Sequence, residues 1–182
     1  RAVELGYRLE EHDLSAPGMN ADRFEQILKA RNIPGVLFAP QVRAQVRLAL
    51  RLERVSCLTF GYSLAHPRLH MVTSNHYRNT ETVFRELVAR GYRRPGLVIE
   101  RENALRIDRI PISAFLSEQQ DLPKSRRVPP LVVSALTKEI FLEWYRRHRP
   151  DVIVALWDQV LPWLQEAGVK VPEETSLAVL SV

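Results

Sequence analysis

Short, unbroken apolar runs constrain this chain more than any other feature. Leu97-Val98-Ile99 and Val152-Ile153-Val154-Ala155-Leu156 show no alternation of polar and apolar residues. A strand built from either must be covered on both faces. The stretch from Val72 to Glu100 shows what can cover it. It reads as a strand end, a polar turn at Thr73-Ser74-Asn75, one amphipathic helix, a glycine stop and a second strand. Val83, Phe84, Leu87 and Val88 form one apolar stripe at helical spacing. Asn79 or Thr80 can cap the start, because a short polar side chain accepts from the unpaired N–H groups of a first turn. Gly91 suits the left-handed position after the last turn, with Arg90, Arg93 and Arg94 where the helix dipole favours cations.

The rest of the chain varies this unit. Helices are predicted from Asn20-Ala21-Asp22 onward with Phe24, Ile27 and Leu28 inward, and over Gln41 to Arg54 with Val46, Leu48, Leu50 and Leu52 as apolar supply. Further helices are predicted from about Leu105 to Gln120 with Pro111 early, over Thr137 to His148, and over Asp158 to Ala167. Strands are expected at Tyr7-Arg8-Leu9-Glu10, Val36 to Ala39, Cys57 to Phe60, His70 to Thr73, Leu131 to Val133, Val152 to Leu156 and Leu177 to Leu180. Gly6, Gly91 and Gly168 punctuate helix-to-strand joints. Strands alternating with helices, most of them continuous apolar runs, give an α/β fold. Its parallel sheets are covered by helices on both faces and joined by right-handed crossovers.

The net charge is +5, with a pI near 9.7. That sign suits nucleic acid or an acidic partner. The arginines, however, are spread along helix faces and ends. The densest clusters, Arg90 to Arg94, Arg126-Arg127 and Arg146 to Arg149, each fall at a predicted helix end or loop and read as solvated ends. The single cysteine, Cys57, excludes an internal disulfide framework and fits a reducing, cytoplasmic compartment. It lies in an apolar strand and reads as packing. No apolar run reaches membrane-spanning length, so no membrane partner is expected. Arg1 to Gly6 reads as the last turns of a helix with no initiator Met, which is expected of a piece of a longer chain.

Doubly wound sheets bind ligands at the carboxyl ends of their strands. Those ends are Ala39-Pro40, Gly61-Tyr62, Ser74-Asn75-His76, Glu100-Arg101, Ser134-Ala135 and Trp157-Asp158-Gln159. The seven glycines form no phosphate-cradling loop, and no Gly-x-Ser-x-Gly elbow is present, so neither nucleotide nor serine-hydrolase chemistry is expected. His12, His66, His70, His76 and His148 lack metal-ligand spacing, and no metal or cofactor is expected. His76 reads as a polar surface or hinge residue at a strand end. Asp158 can be read three ways: a general base, a helix N-cap, or, with Gln159, a holder of sugar-like hydroxyls. Trp157 beside it offers a stacking face or core filler.

Several segments, in order, resemble the LacI/GalR family of bacterial transcription regulators. Arg31-Asn32-Ile33-Pro34-Gly35-Val36-Leu37-Phe38 is similar to the family's r-x-x-D-G-v-I-f joint, with Pro where Asp is usual. Val72-Thr73-Ser74-Asn75 resembles V-x-x-D-N, and Arg90-Gly91-Tyr92-Arg93-Arg94 resembles x-G-H-R-R. Arg149-Pro150-Asp151-Val152-Ile153 resembles x-P-D-A-i, and Asp158-Gln159 resembles a strand-end n-D-x. Gly168-Val169-Lys170-Val171-Pro172-Glu173-Glu174-Thr175-Ser176 is similar to G-x-x-V-P-e-D-v-S.

The resemblance implies a two-lobed, periplasmic-binding-protein-like (type I) fold of doubly wound parallel sheets, incomplete at both ends. An N-terminal lobe is expected over residues 1–93 and a C-terminal lobe over 94–182. It also implies effector contacts at Pro40, Asn75, Trp157 and Asp158, with an arginine gripping the effector at Arg109, or Arg106 if the register slips. After Ser176 the chain departs from the family, and Ser181 stands where a carboxylate commonly contacts sugar. The implied function is the effector-binding, homodimerising core of a regulator that closes on a sugar or related metabolite. DNA binding would belong to a helix-turn-helix outside this chain. The alternatives are a periplasmic or secreted solute-binding protein of the same fold, and an enzyme on a doubly wound scaffold, for which no catalytic set is found.

Overall fold

The computed structural model describes residues 3–180. Helix α1 (Ala21–Ala30) leads into β1 (Gly35–Phe38), followed by β2 (Val46–Arg47), β3 (Ser56–Phe60), β4 (Leu64–His66) and β5 (His70–Val72). Helix α2 (His76–Ala89) runs to β6 (Pro95–Glu100), then α3 (Arg101–Arg106), α4 (Ile110–Gln119) and β7 (Leu131–Val133). The order ends with α5 (Lys138–His148), β8 (Val152–Ala155), α6 (Leu161–Glu166) and β9 (Ser176–Val179). Strands and helical segments alternate from α2 onward, whereas β1 to β5 follow one another without an intervening helix. All pairings are parallel: β1-β3-β5 form one sheet, β7-β6-β8-β9 a second, and β2 pairs with β4. The α/β class with parallel sheets and flanking helices is as expected.

The second sheet explains the unbroken runs. Val98 and Ile153 pack on one face with Phe141, Trp144 and Leu164 from α5 and α6. Leu97, Ile99, Val152 and Val154 pack on the other with Phe84 and Leu87 of α2 and Phe115 of α4. Each strand is sandwiched, and Leu97 and Ile153 expose nothing to solvent. The N-terminal ends of β6 and β8 are tied by Asp151, whose carboxylate accepts from the backbone N–H groups of Arg93 (2.6 Å) and Arg94 (2.9 Å). That is the physical reason for an aspartate at the start of β8. Across α2 and α4, the Arg85 guanidinium forks onto Glu118 (2.8 and 3.1 Å) and also reaches Glu81 (2.9 Å).

Helix α2 therefore belongs by packing to the second body. The helix lies before the division expected at 93/94 and follows the first sheet in sequence, but it buries its apolar face in the second core. The packing divides at the turn Thr73–Asn75. The cap also differs from expectation. The helix starts at His76, and Asn75 Oδ1, not Asn79 or Thr80, accepts from Arg78 N (3.0 Å). Thr80 instead donates from Oγ1 to His76 O within the helix.

Four further expectations fail locally. Gln41 to Arg54 is not a helix. From Val46 to Leu52 half-buried and exposed residues alternate, so Val46, Leu48, Leu50 and Leu52 share one side of an extended chain. The helix expected over Leu105 to Gln120 is two, broken at Ile107–Arg109, where Asp108 and Arg109 adopt left-handed backbone and Pro111 sits in the first turn of α4. The last helix begins at Leu161 instead of Asp158. Tyr7 to Glu10 forms no strand, and Tyr7 and Leu9 are exposed. The first body is less buried than the second: Phe24, Leu28 and Phe38 are covered, while Leu37, Phe60 and Val72 on its strands are exposed.

Candidate functional site

The C-terminal tips of both parallel sheets are the places where loops can present ligand-binding groups, and here the two sets of loops touch. After β1 the chain turns at Pro40, and Gln41 N donates to Ser63 Oγ (2.7 Å) in the loop after β3. Gln41 O accepts from Arg106 Nε (3.0 Å) on α3, and Ala44 N donates to Glu102 Oε1 (2.7 Å) on the same helix. The first body's loop is thus stitched to a helix that leaves the tip of β6. Nearby, the Tyr62 and His76 rings lie 6.2 Å apart at 51°. Burial holds His76 below the ordinary imidazole value and so favours the neutral ring.

On the second sheet, Glu100 ends β6 and is half-buried. Its Oε1 accepts from Leu136 N (3.0 Å) in the loop after β7, and its Oε2 from Asn103 Nδ2 (3.1 Å) on α3. One carboxylate therefore fixes two strand-tip loops. Glu100, Asn103, Leu136, Trp157 and Gln159 line a cavity of about 10 Å³, the scale of one water molecule. A wider groove of about 600 Å³ opens at the other end of the first sheet, around Val55, Cys57, Arg68 and His70. There the Cys57 thiol bonds Val55 O (3.3 Å), and burial pushes its pKa up, as for a packing residue.

The residues singled out in the sequence fall as follows. Pro40 and Asn75 are exposed at first-sheet tips, and the Asn75 carbonyl oxygen is already engaged in capping α2. Trp157 and Asp158 follow the tip of β8, both exposed, and Asp158 does not cap α6. Arg109 is exposed at the α3–α4 break, whereas Arg106 is the arginine that reaches the first body. Ser181 lies outside the described residues. No hydrogen bond joins any two of Pro40, Asn75, Arg109, Trp157 and Asp158; among the described residues the hydrogen bonds between the bodies link Gln41 with Arg106 and Ala44 with Glu102, beside the Tyr62–His76 ring contact. Sequence reasoning passed over Glu100 as a site residue. The signal was available: a carboxylate ending a strand buried on both faces must find partners. Among the described residues no group of three His, Cys, Asp or Glu side chains is placed to hold a metal ion.

No protein-family model matches the sequence, and no curated protein matches it significantly. Solved structures do match in fold. A regulatory protein of the LacI family from Chloroflexus aggregans superposes with a TM-score of 0.69 at 16% identity, over 97% of this chain and 66% of that one. A sugar-binding transcriptional regulator (LacI family) from Escherichia coli, complexed with phosphate, gives 0.63 at 17%, over 98% and 68%. A periplasmic binding protein/LacI transcriptional regulator from Alkaliphilus metalliredigens QYMF, complexed with D-xylulofuranose, gives 0.58 at 14%, over 85% and 59%. The chain thus spans between 59% and 68% of the lengths of these three structures. At such identities the likeness is one of fold: a two-lobed, periplasmic-binding-protein-like architecture of the LacI/GalR type.

Proposed function

We propose that this chain is the ligand-sensing and dimerisation core of a bacterial LacI-type transcription regulator, taking a small effector, a sugar or related metabolite, between its two lobes. The observation that carries this reading is the meeting of the two sets of strand-tip loops through Gln41–Arg106 and Ala44–Glu102. Closure of one lobe on the other is a motion that a ligand placed between them can bias. Asp158 and Arg109, both exposed and without a hydrogen-bonding or ionic partner for the side chain among the described residues, would hold the effector's hydroxyls or charge. Trp157, 42% exposed, would stack on its apolar face. Pro40 and Asn75 would contribute from the first lobe, and Ser181 from the segment after β9. Effector binding would change dimer geometry and, through a DNA-binding domain elsewhere in the protein, operator affinity.

The test is a thermal-shift screen against sugars, sugar phosphates, sugar acids and nucleobases. A ligand at about a hundred times its Kd stabilises the native state by about 2.7 kcal/mol. The expected result is a hit that Asp158→Ala and Arg109→Ala each abolish. A hit that both variants retain in full would refute the site, and an unshifted wild-type chain across the screen would refute the ligand-sensing reading.

A further inference from the structure

The three arginine clusters that are separate in sequence meet at one place in the fold. Arg94 donates from Nη1 to Ser125 O (2.6 Å), from Nη2 to His148 O (2.5 Å) and from Nε to Arg149 O (3.3 Å). One side chain thereby gathers the segment before β6, the turn before β7 and the end of α5. The flanking residues come with them: Arg93 beside Arg94, Lys124 and Arg126 beside Ser125, Arg146, Arg147 and Arg149 around His148. All six are exposed. All lie at the N-terminal end of the second sheet, opposite the strand tips of the candidate cleft. The clusters do lie at helix ends and loops, as expected, but they are gathered at one place instead of being spread over the surface.

Arg31, Arg51, Arg78, Arg85 and Arg90 each lie within 4.0 Å of a carboxylate, whereas none of Arg93, Lys124, Arg126, Arg146, Arg147 and Arg149 forms an ion pair among the described residues. Arg23, Arg43, Arg47, Arg54, Arg68, Arg101, Arg106, Arg109 and Arg127 likewise form none, and what sets the six apart is that they lie together at one end of the sheet. The carboxylates at the same end are few. Asp151 is occupied by two backbone N–H groups, Glu174 lies near Tyr145, and Glu143 stands one turn before Arg146 and Arg147 on α5 without forming an ion pair with either. Burial, and after it the charges of Arg147 and Arg94, hold His148 below the ordinary imidazole value.

We infer that this end of the second lobe is a binding surface for the phosphate backbone of duplex nucleic acid, independent of base sequence and of the effector cleft. Five of the six cations without an ion pair are arginines, whose planar fork matches phosphate oxygens; the Arg149 guanidinium also lies 5.8 Å from the centroid of the Tyr145 ring. The aromatic rings there, Trp144 and Tyr145, are buried in the core, so the surface offers no stacking platform for single-stranded bases. Contacts from such cations to phosphate oxygens carry no base sequence, so the expected contact is with the backbone. The inference stands on charge placement alone and does not depend on the proposed effector site.

The test is fluorescence anisotropy of the full chain with a labelled duplex of about 20 base pairs and arbitrary sequence. About four phosphate contacts would lower affinity by about a hundredfold between about 50 and about 200 mM salt. The triple variant Arg126→Gln, Arg146→Gln and Arg147→Gln should lose at least about tenfold in affinity and flatten the logarithmic salt slope by about 2 to 3. A control triple, Arg43→Gln, Arg47→Gln and Arg54→Gln, removes the same charge from exposed positions on the first lobe and should stay within about twofold. Equal losses in the two triples would reduce the effect to net charge and overturn the assignment. So would absence of duplex binding at the lowest salt, or displacement of the duplex by polyglutamate more readily than by unlabelled duplex, which would point to an acidic protein instead.

Discussion

Gly96 offers a sharp trial of the packing described for the second sheet. A Cβ added there would lie 2.6 Å from Cη2 and 3.0 Å from Cζ2 of Trp144, and 3.2 Å from Cβ of Pro150. Carbon atoms rest at about 3.5–4.0 Å, so the indole would have to retreat by about 1 Å. It has little room to do so: its Nε1–H donates to Pro129 O at 2.9 Å, and it is packed within the core formed with Phe141 and Leu164. Overpacking of this kind costs about 1–3 kcal/mol, partly offset by about 0.4–1 kcal/mol from the stiffer unfolded chain. Gly96→Ala is expected to destabilise by about 1–2 kcal/mol in urea unfolding followed by circular dichroism. Because the clash is with the benzo edge of the indole, Trp144→Phe should relieve it, and the cycle should show a favourable coupling of at least about 1 kcal/mol. Gly91→Ala is the contrast. Its φ of +96° makes any side chain strained, but nothing lies within 4 Å of the added carbon, so Trp144→Phe should leave its cost of about 1–2 kcal/mol unchanged. An unaltered midpoint for Gly96→Ala, or the same loss in both Trp144 backgrounds, would refute the reasoning.

Two further outcomes follow from the geometry. Removing Glu102 and Arg106 together, each to Ala, deletes both hydrogen bonds from α3 to the 41–44 loop; limited proteolysis within that loop should accelerate several-fold while the global unfolding midpoint moves by less than about 1 kcal/mol. The folded pKa of His76 and of His148 is depressed below about 6.5. The unfolded chain therefore binds protons first as pH falls, and stability should decline between about pH 7 and pH 5. His76→Gln with His148→Gln should flatten that part of the profile, and a rise in stability over the same interval would contradict the assigned directions.

The second lobe was largely legible in the sequence. Leu97-Val98-Ile99 and Val152 to Ala155 have no polar partner residue to place outward, so only a sheet sandwiched by helices accommodates them. Gly91 and Gly168 sit at positive φ after α2 and α6, as their positions announced. The segment from Val46 to Leu52 was misread as a helix although its apolar residues recur at every second position, the period of an extended chain. Turn chemistry also misled: Asn75 took the cap because its side chain was one turn earlier than the apolar stripe suggested. Least legible was anything set by distance in space. The meeting of residues 93–94, 124–127 and 146–149 depends on three strands starting at one end of a sheet, and no local pattern encodes it. For the same reason the fold places Pro40, Asn75, Arg109, Trp157 and Asp158 at strand tips and a helix break, while the contacts that join the lobes run through their neighbours.

The course of the chain through Thr73–Asn75 has a mechanical consequence. Among the described residues this is the one covalent link between the lobes, and it opens directly into α2, whose 14 residues extend about 21 Å along the second lobe. The turn is therefore a fulcrum and the helix an arm rigidly bolted to everything beyond it. A rotation of about 10° at the turn sweeps the far end of the arm, where Gly91 to Arg94 begin the second sheet, through about 4 Å. Small adjustments of backbone angle at this turn would thus be amplified into displacements of the arginine-bearing end of the lobe.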